Sequence, residues 1–482
     1  MINKAELVFI PAPEMGHLVS AVQLAKLLVD LSSNLSITFL TVKPLHDAKV
    51  SAYVDSLTAA TTSRIKFINL PQSIPEVDFL KFFSDLVQTL GPLVKEVVTN
   101  IVEHSNSVPD SPRLAGFVLD ALLTSLVDLS NEFGVPSYAF FPSGAGYLGF
   151  HFHTEALHDE QQIEFGELKD SDTEFRIPSY VSPVSIKLFP THMLQPESFT
   201  SCRNLAKGMR EVKGIMVNTF TELESYAVDS ICNGKLQISR IYPVGPLLNL
   251  ESSSMLHHNC DTVMQWLDEQ PHSSVVLLCF RSMGSFRADQ VKEIAYALEQ
   301  SGHWFLWSLR QRPPEQVKDM VICSLNDYEK VAEVLPEGFL DRTAEIGKII
   351  GWAPQAVILS HSAIGGFMSH CGWNSTLESV WFGVPMAAWP LYGEQQLNAL
   401  TLVKELGLTV EIKMDYKIDD GDVKIIKAEK IEKGIKCLMD DESDVRQRTK
   451  KMSDISRKVL LDGESSYTVL CRFINDIINN VP

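Results

Sequence analysis

Residues 352–395 read WAPQAVILSHSAIGGFMSHCGWNSTLESVWFGVPMAAWPLYGEQ. Within them, 364–368 is a short apolar run containing glycine, as expected of a buried strand. A polar turn follows at 369–372. Ser375-Thr376-Leu377-Glu378 then opens a helical pattern with Leu377, Val380 and Trp381 on one face. A strand that passes through a glycine turn into a helix leaves N–H groups unpaired at the helix start. Those donors and the helix dipole favour an anion, above all a phosphate. Residues 384–389, bracketed by Gly383 and Pro390, read as the next strand. The stretch is therefore expected to be a βαβ unit with a phosphate-sized site at its turn.

The same alternation runs outward in both directions. Residues 7–10 are apolar, 11–16 break the run, and His17 begins a helical pattern with Leu18, Val22, Ala25, Leu28 and Val29 on one face. Strands are expected at 37–42, 65–70, 114–119 (ending on Asp120) and 135–141, with a long amphipathic segment over 77–102. Residues 151–210 hold charge clusters and several prolines and read as loop-rich decoration, before a strand at 215–218. Ile241-Tyr242-Pro243-Val244-Gly245-Pro246 marks a break, and the Ser-, His- and Asn-rich stretch to 261 reads as a linker. Beyond it come strands at 275–280, 304–309 and 347–350 and helices at 288–300, 397–406, 428–439 and 445–461. Strands alternating with helices argue for parallel sheets covered on both faces. The expected class is α/β, two doubly wound Rossmann-like domains facing a cleft, with ligands at the carboxyl ends of the strands.

Composition narrows the function. The 482 residues allow about two to four domains. A net charge of −18 makes nucleic acid or an anionic membrane surface a poor partner, so any anionic ligand must be held by local donors. The eight cysteines are scattered singly with no CxxC, which suits a reducing compartment and argues against a structural metal or disulfide frame. The first residues carry charge and enter a strand directly, and no apolar run is long enough to span a bilayer. The expectation is a cytoplasmic, monomeric protein with no membrane span.

A candidate base is legible before any resemblance is drawn. His17 falls at a helix start, where the positive helix end disfavours imidazolium, so a neutral, basic ring is expected near neutral pH. A general base needs a partner that orients it, and Asp120 ends a later strand of the same sheet. The plainer reading makes His17 a helix-start residue and Asp120 a cap.

Residues 352–395 closely resemble the signature box of plant family 1 UDP-sugar glycosyltransferases. Trp352-Ala353-Pro354-Gln355 opens the box, His370-Cys371-Gly372-Trp373-Asn374-Ser375 stands at the family spacing, and Glu394-Gln395 closes it. The resemblance extends to 8–17, 117–120, 241–247, 275–286 and 335–342, and is thin over 151–210. It implies the glycosyltransferase-B (GT-B) architecture: an acceptor-binding domain over 1–245, a linker over 246–261, a UDP-sugar-binding domain over 262–460, and a last helix in 461–482 packing back on the first domain.

The resemblance also assigns roles. His17 becomes the base on the acceptor hydroxyl and Asp120 its partner. Trp352, otherwise a core aromatic, stacks on uracil, with the backbone of Ala353 and the side chain of Gln355 nearby. His370, Asn374, Ser375 and Ser282 meet the diphosphate. Glu378 goes to the ribose, although Ser375-x-x-Glu378 is also a capping box in which the Glu folds back on the helix start. Trp373, Glu394 and Gln395 stand where the family holds the hexose; a closing Gln resembles glucose users and a His galactose users. Ser143, in the loop after Phe141, is placed to reach the sugar from the first domain.

Two features qualify this picture. Asp170-Ser171-Asp172 and Asp420-Gly421-Asp422 fit the metal-binding Asp-x-Asp pattern of the other major glycosyltransferase fold, but both lie in hydrophilic stretches that read as solvated loops, so no metal is expected. Arg281 precedes Ser282 where the family carries Gly, and a glycine there permits close backbone approach to the phosphates. The expectation is an inverting transferase moving glucose from UDP-glucose, a co-substrate, to a hydroxyl of a small lipophilic acceptor such as a flavonoid, terpenoid or hormone. No cofactor is implied. The alternatives are a sugar-nucleotide-binding protein with transfer impaired by Arg281, and an epimerase of the same fold. The acceptor pocket is expected from loops within 78–92, 140–150 and 180–205.

Overall fold

The alternating segments fold into two parallel sheets. The computed structural model describes residues 4–44, 47–71, 79–234, 238, 240–250, 257–280, 284–311, 327–417 and 424–479. The first part of the chain runs β1 (Ala5–Ile10), α1 (Met15–Leu31), β2 (Leu35–Thr41), α2 (Ala48–Ala59), β3 (Ile65–Asn69), α3 (Phe79–Ser107), β4 (Arg113–Asp120), α4 (Val127–Glu132), β5 (Ser137–Phe141) and α5 (Ala145–Gln161). A small antiparallel pair, β6 (Glu174–Phe175) and β7 (Val184–Ser185), precedes α6 (Pro196–Glu211), β8 (Gly214–Val217), α7 (Ser225–Asn233) and β9 (Arg240–Pro243).

The second part runs α8 (His257–Asp268), β10 (Val275–Cys279), α9 (Ala288–Ser301), β11 (Trp304–Ser308), α10 (Phe339–Arg342), β12 (Gly347–Ile350), α11 (Gln355–Leu359), β13 (Ile364–Ser369), α12 (Trp373–Phe382), β14 (Met386–Ala388), α13 (Gln395–Leu400) and β15 (Thr409–Glu411). Three helices close the chain: α14 (Ala428–Met439), α15 (Asp444–Ser456) and α16 (Ser465–Ile478). Among the described residues no helix is long and apolar enough to cross a membrane.

Strand order locates the sites. The first sheet is ordered β3-β2-β1-β4-β5-β8-β9 and the second β12-β11-β10-β13-β14-β15. Successive strands are therefore added in opposite directions on either side of the β1/β4 pair, and likewise of the β10/β13 pair. At such a switch point the loops leaving the two strands diverge and open a crevice at their carboxyl ends. His17 follows β1, Asp120 ends β4, and the glycine turn of the signature box follows β13.

Period-two alternation explains how each sheet is buried on both sides. In β1, Val8 and Ile10 enter one core with Leu90 and Val94 of α3, while Leu7 and Phe9 enter another with Leu18 and Val22 of α1. In β10, Val276 and Leu278 face Val291 and Ile294 of α9, while Val275 and Leu277 face Leu377 and Val380 of α12. The last helix packs on the first sheet. Phe473 of α16 lies edge-on to Tyr138 at 5.0 Å and to Tyr242 at 5.3 Å, and the Tyr242 hydroxyl donates to Asp476 at 2.7 Å.

Three local expectations give way. Residues 151–210, read as loop-rich, hold the second half of α5 and all but the last residue of α6, 17- and 16-residue helices. Around them Phe150, Phe165, Phe189 and Phe199 form an aromatic core that also takes in Leu397 and Leu400 of α13. Their amphipathic pattern is masked by surface charge on one side and by prolines at the intervening turns. The 241–246 break contains β9, an edge strand that tolerates Pro243 at its end because an edge needs fewer ladder donors. Helix α8 begins at His257, inside the stretch read as linker.

Candidate active site

The first switch point brings together the residues expected to act as base and partner. Glu14, in extended conformation, caps the start of α1, and this places His17 in the first helical turn. Asp120 is 1% exposed; its Oδ1 accepts the Leu122 N–H at 3.0 Å, which fixes the carboxylate at the strand end. Nδ1 of His17 lies 3.0 Å from Asp120 Oδ1 and 2.9 Å from Oδ2, while 23% of the His17 side chain remains exposed.

The expected neutral ring is corrected here. Burial is the largest single influence on His17 and favours the neutral form. The charge and hydrogen bond of Asp120, reinforced by Glu14 and Glu394, outweigh it and push the pKa up to about 9. A carboxylate in direct contact therefore dominates the partial charge of a helix end.

At the second switch point, β13 ends on Ser369 and the chain turns through His370 and Cys371 to Gly372, the cap of α12. Cys371 takes the left-handed conformation, φ 62°. A Cβ on Gly372 would lie 2.5 Å from His370 Nε2, so the imidazole occupies the space that a side chain would need. His370 is 2% exposed, with Nδ1 3.3 Å from Ser369 Oγ. Among the described residues no side chain caps the start of α12, and a helix start is a place that favours an anion.

This geometry removes the capping-box reading. The helix begins at Trp373, so Ser375 already lies inside it and is not the cap. Glu378 Oε2 instead accepts from Gln355 Nε2 at 2.5 Å, and the same nitrogen lies 3.0 Å from Ser375 Oγ. Three residues assigned to the nucleotide thus form one cluster. Trp352 stands on the loop after β12 with 36% of its surface exposed, unlike a core tryptophan, while Ala353 and Gln355 are buried.

Several expected donor contacts are spent on joining the two halves. Asn374 Nδ2 donates to the Gly16 carbonyl at 3.2 Å, and Ser20 Oγ donates to Asn374 Oδ1 at 3.4 Å, so the starts of α1 and α12 are tied together. Trp373 is 5% exposed and donates Nε1–H to the Asn218 carbonyl at 2.6 Å. Gln395 Oε1 accepts the N–H groups of Leu391 and Tyr392 at 2.9 and 3.1 Å, so part of its side chain is used to hold the turn before α13. Glu394 stands within electrostatic reach of His17, and burial raises its carboxyl pKa. Ser143 is 9% exposed, and the Cβ position of the adjacent Gly144 lies 2.8 Å from Trp373 Cη2.

Arg281 and Ser282 lie outside the described residues, as do Asp420 and Asp422. Asp170 and Asp172 are exposed, and Asp172 pairs with Lys187 at the surface. Two contributors were missed in sequence. Glu14 was read only as part of a break, yet it faces His17, Asp120 and Glu394. Glu224 accepts the N–H groups of Ala145 and Gly146 at 2.8 and 2.9 Å and so sets the start of α5; a partner 79 residues away leaves no local signal.

Comparison with known proteins agrees with this geometry. A family profile described as "UDP-glucoronosyl and UDP-glucosyl transferase" matches residues 241–455. The chain is 50% identical over 484 residues to "UDP-glycosyltransferase 71A15" of Malus domestica, covering 99% of this chain and 100% of that one. It is 49% identical over 488 residues to "UDP-glucose flavonoid 3-O-glucosyltransferase 6" of Fragaria ananassa, covering 99% of each. Among solved structures, a transferase from Siraitia grosvenorii in complex with UDP superposes with a TM-score of 0.86 at 44% identity, over 98% of this chain and 100% of that one. With two parallel-sheet halves, a shared box and full-length likeness, the chain belongs to the plant family 1 UDP-glycosyltransferases and is a glycosyltransferase of the GT-B fold.

Proposed function

We propose that the protein transfers glucose from UDP-glucose to a hydroxyl of a small lipophilic acceptor, a flavonoid or related phenolic foremost, with inversion to a β-glucoside. The observation that carries this reading is the His17–Asp120 pair at one switch point, tied through Asn374 to the helix start at the other. The relative from Fragaria ananassa, named for glucose transfer to flavonoids, supports the donor and the acceptor class.

In this reading Trp352 stacks on uracil, with Ala353 and Gln355 beside it, and Glu378 takes the ribose hydroxyls. His370, the N–H groups of Asn374 and Ser375, and Ser282 meet the diphosphate; this supplies the charge stabilisation that other transferases draw from a metal. Glu394, the Gln395 amide, Trp373 and Ser143 surround the glucose. Asp120 holds the proton of His17 on Nδ1, so Nε2 is the basic nitrogen. The acceptor oxygen attacks the anomeric carbon opposite the UDP. As the new C–O bond forms and the bond to phosphate breaks, the hydroxyl proton passes to Nε2, and Asp120 stabilises the imidazolium.

His17→Ala is the direct test. It should bind UDP like the wild type by calorimetry and lose most transfer to a hydroxyl acceptor; full retained turnover would reject the base assignment. The anomeric configuration of the product, read by NMR, checks inversion.

A further inference from the structure

One carboxylate of the second half is held by backbone of the first. Glu405 Oε1 accepts the N–H of Val181 at 2.8 Å and the N–H of Ser182 at 3.0 Å, the first of them across 224 residues of chain. Both bonds go to the same oxygen. Hydrogen bonds from N–H groups to a carboxylate are stronger than those between neutral partners. Burial raises the Glu405 carboxyl pKa, and the two N–H groups offset part of the rise.

The donors are anchored in the first half. Ser179 Oγ donates to the Gly146 carbonyl at 2.9 Å, and the Tyr180 N–H donates to the Ile177 carbonyl at 3.0 Å. Residues 179–182 therefore run as a strut from the start of α5 to Glu405. On the other side, Glu405 ends a π-turn, Thr401–Glu405, closed by the Leu406 N–H on the Thr401 carbonyl at 2.9 Å. Such turns are rare and are frequently found at functional positions.

The π-turn continues directly from α13, the helix whose cap is Glu394 and whose first residue is Gln395. Six residues are too few to hold a helix in water on their own, so packing sets its place. Leu397 and Leu400 enter the aromatic core of the first half beside Tyr180, Phe150 and Phe189. Asn398 Nδ2 donates to the Cys371 carbonyl at 3.0 Å and Gln396 Nε2 to the Tyr416 carbonyl at 2.7 Å, which tie α13 to its own half. Loss of the Glu405 contact would therefore loosen α13 without freeing it. The residues given to the nucleotide, 352–378, all precede this helix, whereas those given to the hexose open it.

We propose that Glu405 is a positioning residue for the sugar: by clasping the 181–182 backbone it fixes where α13 lies across the gap, and with it the end of α13 that meets the hexose. The inference rests on the transferase reading above. It places the control of sugar choice partly in a contact between the halves, at the opposite end of the helix from the sugar.

The test uses UDP, UDP-glucose and UDP-galactose, the last differing from UDP-glucose only in configuration at C4. Binding of each is measured by calorimetry on wild type, Glu405→Ala and Glu405→Gln. Wild type should favour UDP-glucose over UDP-galactose by about five- to tenfold, the worth of one neutral hydrogen bond. Glu405→Ala should keep the wild-type affinity for UDP, which also shows that the site is folded. It should bind UDP-glucose about three- to tenfold more weakly, with the sugar preference falling towards one. Glu405→Gln keeps an oxygen that can accept both N–H groups and should recover most of the preference. A merely structural role would lower the melting temperature and leave the preference unmoved. An unaltered preference in Glu405→Ala, an equal loss of its UDP affinity, Glu405→Gln as impaired as Glu405→Ala, or a wild type that binds both sugar nucleotides alike overturns the positioning role. Wild type that binds none of the three instead removes the transferase reading, and this inference with it.

Discussion

Oδ2 of Asp120 lies 2.9 Å from Nδ1 of His17, across 103 residues of chain. The carboxylate does more than hold the ring. As an acceptor only, it selects the tautomer with the proton on Nδ1 and leaves Nε2 basic. An amide in its place can donate to Nδ1 and so favours the opposite tautomer. Asp120→Asn is therefore expected to lower kcat by roughly 10²- to 10⁴-fold while UDP affinity stays at the wild-type value. Initial rates and calorimetry on the same preparation check both halves.

The same contact sets a pH dependence. His17 is raised to about 9, so below that value the ring is mostly imidazolium and cannot accept a proton. kcat/KM should climb with pH and level off near 9. Removing the charge of Asp120 takes away the strongest raising influence, so in Asp120→Asn the plateau should begin at lower pH. A flat wild-type profile would show that His17 does not titrate as the base. Stability follows with a fixed sign. The folded-state pKa lies above the ordinary value of 6.5, so the folded state binds its proton more tightly. The stabilisation is complete below 6.5 and fades as pH rises through about 9, a trend that denaturant titrations across this window will register.

Glu378 separates two roles that its position allows. Its carboxylate meets Gln355 and does not cap α12. Glu378→Ala should raise the KM for UDP-glucose about tenfold, the cost of losing contacts to a charged acceptor, with little change in kcat. Loss of thermal stability with an unchanged donor KM would return the residue to a structural role.

What could be read from sequence followed from local physics. Apolar runs and glycine turns revealed the strands beside both switch points, because burial on both faces of a parallel sheet demands continuous apolar runs. His17 and Asp120 were legible because each ends or follows such a run. What escaped depends on distant partners. Gln355 and Glu378 meet across 23 residues, and Asn374 bonds to Gly16 across 358, so neither leaves a local pattern. The His17 pKa was misjudged for the same reason: the helix start is visible locally, whereas the contact distance to Asp120 is not. Helix α6 was missed because prolines and charges on either side hid its apolar stripe.

The turn at Gly372 offers the sharpest separation of stability from binding. Its Cβ position is 2.5 Å from His370 Nε2, and the imidazole is almost fully buried, with Nδ1 beside Ser369 Oγ. An added methyl group therefore requires the ring or the turn to shift. Gly372→Ala is expected to cost about 1–3 kcal/mol of stability through this overlap and to weaken UDP binding at least about tenfold, because the helix-start donors and the imidazole are displaced together. Gly383 serves as the control. It ends the same helix at φ 69°, where an alanine is strained by about 1 kcal/mol, but it lies at the end of α12 away from the turn. Gly383→Ala should therefore lose stability and keep UDP affinity. If both variants melt early and both bind UDP like wild type, the phosphate site does not lie at this turn.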